Sequence, residues 1–386
     1  MKKICFVTAT RAEYGLLKPL MKLVENSDLA QLQIIATGAH LSPEFGLTYK
    51  NIEDDGFYID ERVEILLSSD TPVGIVKTMG IAMMGMAEVF SKLRPDLLII
   101  LGDRYEMLSI ASAATIFKVP IAHLHGGEIT EGAYDDAIRH AITKMSHIHF
   151  TSTEEYKNRV IQMGENPENV FNVGAIGLDN IRDLDLLSAK ELEADLDIKF
   201  KKYNYQITFH PETLGSLSSE EQFQNLLNVI KNQEDSFFIF TKANADTDGR
   251  IINQMIDDFV NEYPDIARAF HSLGTLRFLS VVKVCDAIVG NSSSGILEAP
   301  SLYTATINIG ERQKGRAQAL SIINVDNSEG GISSGFESVK STFFRERLSE
   351  IKNPYDNGGA AKEIFNKIMN HKTIKTNKPF YNLSWI

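Results

Sequence analysis

The chain has 386 residues, 43% apolar and 23% charged, with a formal net charge of −12. This is the balance of a soluble globular protein with enough chain for two cores. The acidic excess argues against non-specific nucleic-acid binding while leaving room for a local basic pocket that holds a phosphate.

No apolar run approaches the ~20 residues that span a bilayer. The opening Met1–Thr8 resembles a signal peptide only in Lys2 and Lys3, because Thr8, Thr10, Arg11 and Glu13 break the apolar run. We therefore expect a cytoplasmic protein without a membrane partner, with Cys5 and Cys285 as reduced core residues.

Ile4–Val7 is a short apolar run followed at once by Thr8–Gly15 and a helical pattern. Further runs at Leu32–Ala36, Leu97–Leu101, Pro120–Leu124 and Ile148–Thr151 alternate with helical segments. Continuously apolar strands in such alternation predict a parallel sheet covered on both faces. A second series follows at Tyr205–Phe209, Ser236–Thr241, Arg268–Ser272, Ala287–Val289, Thr304–Ile309 and Ser321–Val325. The stretch between, roughly Gly174 to Lys202, is charged and helical and suits a hinge. The expectation is an α/β chain of two doubly wound domains, residues 1–175 and 176–357. The tail, 358–386, would return to the first.

Ligands of such sheets bind beyond the carboxyl ends of the strands. There the chain carries Arg11 and Glu13, then Asp103, Arg104 and Glu106, then His125, Gly126, Gly127 and Glu128, with Asp135, Asp136 and Arg139 opening the next helix. The second half carries His210-Pro211, Lys242-Ala243-Asn244, and Gly310 to Arg316. Acidic groups thus gather in the first half, and basic and hydroxyl groups in the second. That division suits a nucleotide held by domain two and a reacting group set against carboxylates of domain one.

Asp286–Glu298 reads as a strand, a polar turn and a helix start. Ser292, Ser293, Ser294 and Gly295 sit where the first backbone N–H groups of a helix lack partners, which makes an anion cradle. The plainer alternative is a serine N-cap. Asp103 beside Arg104 is either a surface ion pair or a site. Asp135-Asp136 alone would be a helix cap, yet with Asp103 and Glu128 they make four carboxylates whose crowding would separate their pKa values. His123-x-His125 and His147-x-His149 have the period-two spacing of a ligand pair, but no third and fourth ligand stands at diagnostic spacing, so no metal is expected. His210 is either a capping histidine or a site residue. There is no Gly-x-Gly-x-x-Gly after the first strand and no Walker loop, which counts against dehydrogenases and kinases. No cofactor is expected.

The motifs Thr10-Arg11-Ala12-Glu13-Tyr14, Gly102-Asp103-Arg104, His125-Gly126-Gly127-Glu128 and Asp135-Asp136-x-x-Arg139-His140-Ala141-Ile142-Thr143-Lys144 resemble those of the UDP-N-acetylglucosamine 2-epimerases. So do His210-Pro211, Gly290 to Gly295 with Glu298, and Asn308-Ile309-Gly310-x-Arg312-Gln313-x-Gly315-Arg316. The matches span nearly the whole chain in order and resemble the hydrolysing branch, which feeds sialic acid synthesis. The resemblance implies two Rossmann-like domains with a central cleft, as in GT-B glycosyltransferases, and a homodimer.

It also implies the chemistry. A base removes the sugar's C2 proton while the anomeric C–O bond breaks and UDP leaves. Water then adds to the 2-acetamidoglycal, releasing N-acetylmannosamine. By resemblance Asp103 and Asp135 are catalytic carboxylates, and His210 donates to the departing phosphate. Arg11, Arg104, Ser292, Ser293, Ser294 and Gly295 meet the phosphates, Glu298 the ribose, and Arg139, Asn244 and Arg312 belong to the substrate site. Some relatives carry a glutamate where this chain has His125, so either His125 or Glu128 takes the proton-transfer role. The alternative sugar is UDP-2,4-diacetamido-2,4,6-trideoxyglucose, of legionaminic acid synthesis. A GT-B glycosyltransferase and a nucleotide-sugar sensor are more distant readings.

Overall fold

A computed structural model describes residues 1–67, 71–130, 134–211, 218–242, 249–371, 374 and 376–383. The chain divides into two compact units. The first comprises Met1–Glu128, Tyr134–Asp179 and Asn357–Ile386, and the second Ile129–Ala133 and Asn180–Asp356.

The first unit holds a seven-stranded sheet of β1 (Lys2–Thr8), β2 (Ala30–Thr37), β3 (Glu61–Val63), β4 (Leu97–Leu101), β5 (Ile121–Leu124), β6 (Ile148–Thr151) and β7 (Val170–Asn172). All neighbours pair in parallel, in the order β3-β2-β1-β4-β5-β6-β7. Alternate residues of each inner strand feed opposite faces. Ile4, Phe6, Leu97 and Ile99 join one core cluster, and Cys5, Val7, Leu98 and Ile100 the other. This is why the strands read as unbroken apolar runs rather than alternating ones. The edge strands β3 and β7 were not legible, since three residues such as Glu61-Arg62-Val63 carry no apolar run.

The second unit holds a six-stranded parallel sheet of β8 (Tyr203–Thr208), β9 (Ser236–Thr241), β10 (Ala267–Phe270), β11 (Ala287–Gly290), β12 (Ala305–Ile309) and β13 (Ile322–Val325), in the order β10-β9-β8-β11-β12-β13. Each unit is therefore doubly wound, and strand order reverses between β1 and β4 in one and between β8 and β11 in the other. Both cysteines are buried and free.

The helix Ala360–Asn370 packs on the helix Arg11–Glu25 of the first unit. Its first N–H groups, at Ala360 and Ala361, donate to the Asp179 carboxylate at 3.0 and 2.6 Å. Beyond it, Tyr381 N–H donates to Gly164 C=O at 2.9 Å, and Lys378 Nζ pairs with Glu165 at 2.6 Å.

One expectation needs correcting. The helix Pro72–Leu93 is long and apolar enough, by length and composition, to cross a membrane. Its Gly74, Thr78, Ala82, Met86, Val89, Phe90 and Leu93 are buried, whereas Val73, Val76, Met83 and Met84 are exposed. The sequence reading missed it because Lys77, Thr78 and Glu88 interrupt the apolar composition.

Candidate active site

The strand order places β1 beside β4, and at such a switch the flanking connections leave in opposite directions and open a crevice at the carboxyl ends. Arg11 is the first residue of its helix, directly after β1, and Asp103 and Arg104 follow β4. Gly102 turns the chain there with φ 75°, a left-handed conformation that costs glycine little. His123 pins this turn. Its Nε2–H donates to Gly102 C=O at 2.8 Å, so its Nδ1 accepts from the Thr143 hydroxyl at 3.1 Å. Burial holds its pKa down to about 3, and the ring stays neutral.

Arg139 ties the neighbouring carboxylates together. Its side chain is 1% exposed; it pairs with Asp103, donates to Asp136 at 3.1 Å, and donates to the Glu128 carbonyl at 2.7 Å. Burial works against its charge, but Asp103, Glu128 and Asp136 outweigh that and raise its pKa. Tyr134, not an aspartate, occupies the N-cap of the helix Asp135–Met145. Asp135 and Asp136 are therefore its first helical residues, where carboxylates suit the dipole.

His125 lies just past β5 with φ 64°, a conformation unusual outside glycine, asparagine and aspartate. Its Nδ1 meets Glu128 Oε1 at 3.0 Å. Glu128 is buried, and the same oxygen accepts from Ser152 Oγ at 2.9 Å. Gly127 lets two backbone segments approach closely: a Cβ there would lie 2.5 Å from Tyr156 C=O.

In the second unit the corresponding switch lies between β8 and β11. His210 follows β8, and Asn291 follows β11. The Asn291 side chain accepts from His210 N–H at 2.7 Å and donates to His210 C=O at 2.8 Å. The Asn291 carbonyl accepts from Arg312 Nη1 at 3.1 Å and Gln313 Nε2 at 2.8 Å. One asparagine thus gathers three of the segments singled out in the sequence. Gly290 permits this, because a Cβ there would stand 2.0 Å from Thr208 C=O.

Ser292 is buried, and Ser293 and Ser294 are half-buried. Ser293 occupies the N-cap without a side-chain cap bond, so the ordinary serine-cap reading fails; instead Ser292 Oγ accepts from Ser294 N–H at 3.4 Å. The helix behind them, Ser294–Leu297, is a single turn, which removes most of the expected macrodipole. What remains for an anion is the turn itself. Gly295 is buried against Thr306, whose hydroxyl donates to its carbonyl at 2.7 Å, and Glu298 is the C-cap. Asn244 lies outside the described residues.

The histidine pairs separate rather than chelate. His123 faces Thr143 and Gly102, while His125 has left the strand. His149 is buried against Glu165 at 3.0 Å, and His147 receives the Ile121 N–H at 3.2 Å. Among the described residues no group of three or more histidine, cysteine, aspartate or glutamate side chains could hold a metal ion.

Sequence reasoning left Thr143, Asn291 and Gln313 inside motifs without roles, and missed Ser152 altogether. Nothing in local spacing marks them, since each partner lies well over ten residues away. Glu106, two residues after Arg104, was legible as a strand-end carboxylate, and its Oε1 accepts from Arg104 Nε at 2.6 Å.

The family model for UDP-N-acetylglucosamine 2-epimerase matches residues 22–369. The chain is similar to the GDP/UDP-N,N'-diacetylbacillosamine 2-epimerase (hydrolyzing) of Campylobacter jejuni, 45% identical over 345 residues and 89% of each chain. It is also similar to the polysialic acid biosynthesis protein P7 of Escherichia coli, 40% identical over 389 residues, covering 99% of this chain and 98% of that one. In fold it resembles the UDP-GlcNAc 2-epimerase of Neisseria meningitidis bound to UDP-GlcNAc, with a TM-score of 0.80 at 17% identity over 95% of this chain and all of that one.

Proposed function

The chain belongs to the UDP-N-acetylglucosamine 2-epimerase family and is an epimerase acting on a nucleotide sugar; from that premise we propose that it hydrolyses UDP-N-acetylglucosamine to UDP and N-acetylmannosamine. The carrying observation is the placement of the motif residues at both order reversals: Arg11, Asp103 and Arg104 beyond β1 and β4, and His210 and Asn291–Ser294 beyond β8 and β11. Family membership sets aside the glycosyltransferase and sensor readings.

In the proposed reaction a base takes the C2 proton as the C1–O electrons leave with UDP, and C1=C2 forms. Water then adds its hydroxyl at C1, and a proton returns to C2 from the opposite face. Asp103 and Asp135 serve as catalytic carboxylates, with His125 or Glu128 in proton transfer. Arg11, Arg104 and Ser292–Gly295 receive the leaving diphosphate, with His210 as its proton donor. Glu298 takes the ribose, and Arg139, Asn244 and Arg312 complete the substrate contacts.

A second sugar is favoured by one observation. The Campylobacter relative at 45% identity is named for N,N'-diacetylbacillosamine, which is the 2,4-diacetamido-2,4,6-trideoxyglucose of the alternative reading. The P7 relative, named for polysialic acid biosynthesis, favours the first. We keep UDP-N-acetylglucosamine first and put both sugars in one test.

We place the protein in the cytoplasm, as a homodimer. The exposed Val73, Val76, Met83 and Met84, on one helix whose first four turns carry only Lys77 as a charge, support a second copy packing there.

Incubation with each sugar nucleotide in D2O, followed by proton NMR, tests the function. UDP together with a free manno-configured sugar deuterated at C2 is expected. Free N-acetylglucosamine that keeps its C2 proton would overturn the epimerase mechanism.

A further inference from the structure

Arg104 stands directly after β4 as the N-cap residue of the helix Tyr105–Ile116, and its side chain is 33% exposed. Its Nε donates to Glu106 Oε1 at 2.6 Å. Glu106 is itself only 2% exposed, and its other oxygen, Oε2, is buried without a hydrogen-bond partner among the described residues. A glutamate in the first helical turn ordinarily stays in water, where the dipole favours it at little desolvation cost. This one is turned inward and desolvated around its guanidinium contact.

A second buried carboxylate belongs to the same group. Glu13, in the first turn after β1, is 8% exposed, and its Oε2 accepts from Ala9 N–H at 2.8 Å and Thr10 N–H at 3.1 Å. Burial raises its pKa to about 7; the Arg104 charge opposes the rise and the Glu106 charge adds to it. The turns after β1 and β4 thus share one electrostatic cluster, with Arg104 as the cation and Glu106 as its direct partner.

An arginine side chain is long and rotamer-rich, and most of its freedom must be lost before a planar fork can meet an anion. Engaging Nε removes that freedom in advance and sets the plane of the terminal nitrogens. We infer that Glu106 is a positioning residue, holding the Arg104 guanidinium in the orientation that receives the diphosphate of the nucleotide. The inference rests on the reading of Arg104 as a phosphate contact made above, and adds a residue that acts only through it.

The full-length protein, its Glu106→Gln variant, and both in an Arg104→Ala background are titrated calorimetrically with UDP and with uridine. The Gln variant should bind UDP about tenfold more weakly, the size of one charge-assisted hydrogen bond. Its uridine affinity should be unchanged, and in the Arg104→Ala background Glu106→Gln should have no further effect. Unchanged UDP affinity, or an equal loss for UDP and uridine, overturns the positioning role. Should Glu106→Gln fail to fold, Arg104→Lys keeps the charge but lacks Nε, and must show the same UDP-selective loss. A wild-type protein that binds no UDP overturns the nucleotide reading as well. One that binds UDP while its variants match it overturns the positioning role alone.

Discussion

His125 Nδ1 lies 3.0 Å from Glu128 Oε1, an oxygen that also accepts from the Ser152 hydroxyl. The Ile176 N–H points at His125 Nε2 from 3.4 Å, which makes Nε2 the accepting nitrogen and Nδ1 the one that carries the proton. The buried carboxylate behind the histidine fixes the tautomer and orientation of the ring, and the left-handed backbone sets the direction in which it leaves the strand. The open choice between the two residues can be put to kinetics. Asparagine tolerates the left-handed backbone, so His125→Asn removes the imidazole without adding strain. Turnover should fall by roughly 10²–10⁴, the usual share of a proton-transfer group. Glu128→Gln should cost about tenfold, because a carboxylate behind the imidazole orients it rather than reacts. Steady-state UDP release measures both, and a larger loss from Glu128→Gln would make the carboxylate the reacting group.

Asp103 presents a different case, since Arg139 holds it in place. Asp103→Asn should keep UDP binding by calorimetry while turnover is lost; lost binding would move Asp103 from chemistry to scaffold. Arg139→Ala should lower unfolding free energy by roughly 3–5 kcal/mol in urea titrations, as breaking a buried ion pair does. A change below about 1 kcal/mol, the size of a surface pair, would contradict the account of Arg139 as a buried tie.

Glu13 links stability to pH near neutrality. Its folded pKa of about 7 lies above the ordinary 4.5, so the folded chain binds this proton more tightly than the unfolded chain. The stabilisation is complete below about pH 4.5 and is lost as pH rises through about 7, up to roughly 3 kcal/mol. Glutamine keeps the capping-box acceptor for Ala9 and Thr10 but cannot ionise. Urea unfolding of Glu13→Gln at about pH 5 and 8 should therefore lack the wild-type decline attributable to this group. An identical decline in both proteins would place the titration elsewhere.

Glu165 has the opposite sign. Burial pushes its pKa up, but His149, Lys144 and Lys378 outweigh this and hold it at about 2. Its contribution is present above about pH 4.5 and is lost as pH falls toward 2, on the order of 3 kcal/mol in full. Glu165→Gln should destabilise the protein near pH 7 and converge with wild type in acid. Equal destabilisation at both pH values would mean that packing, not charge, is what Glu165 supplies.

The fold class was legible because parallel strands buried on both faces cannot hide. The run Leu97–Leu101 coincides with β4, and Leu32–Ala36 falls within two residues of each end of β2. The same logic located the strand-end residues, since those after each apolar run lie at the carboxyl end of a strand, whatever the tertiary details. The serine turn was legible as a turn, but the length of the helix behind it was not. Ser294–Leu297 stops after one turn and a 3-10 stretch at Ala299–Leu302, with Pro300 inside, follows at once.

What the sequence by itself determined was therefore the order of elements, the class of sheet, and the set of charged and hydroxyl residues at strand ends, because these follow from periodicity along the chain. Tertiary structure alone decided which of them act together. Asn291 binds His210 and Arg312, Arg139 binds Asp103, Ser152 reaches Glu128, and His125 leaves its strand in a left-handed turn. Those pairings join segments some 20 to 80 residues apart, and a buried polar group takes its partner from whatever segment the fold brings within hydrogen-bonding distance.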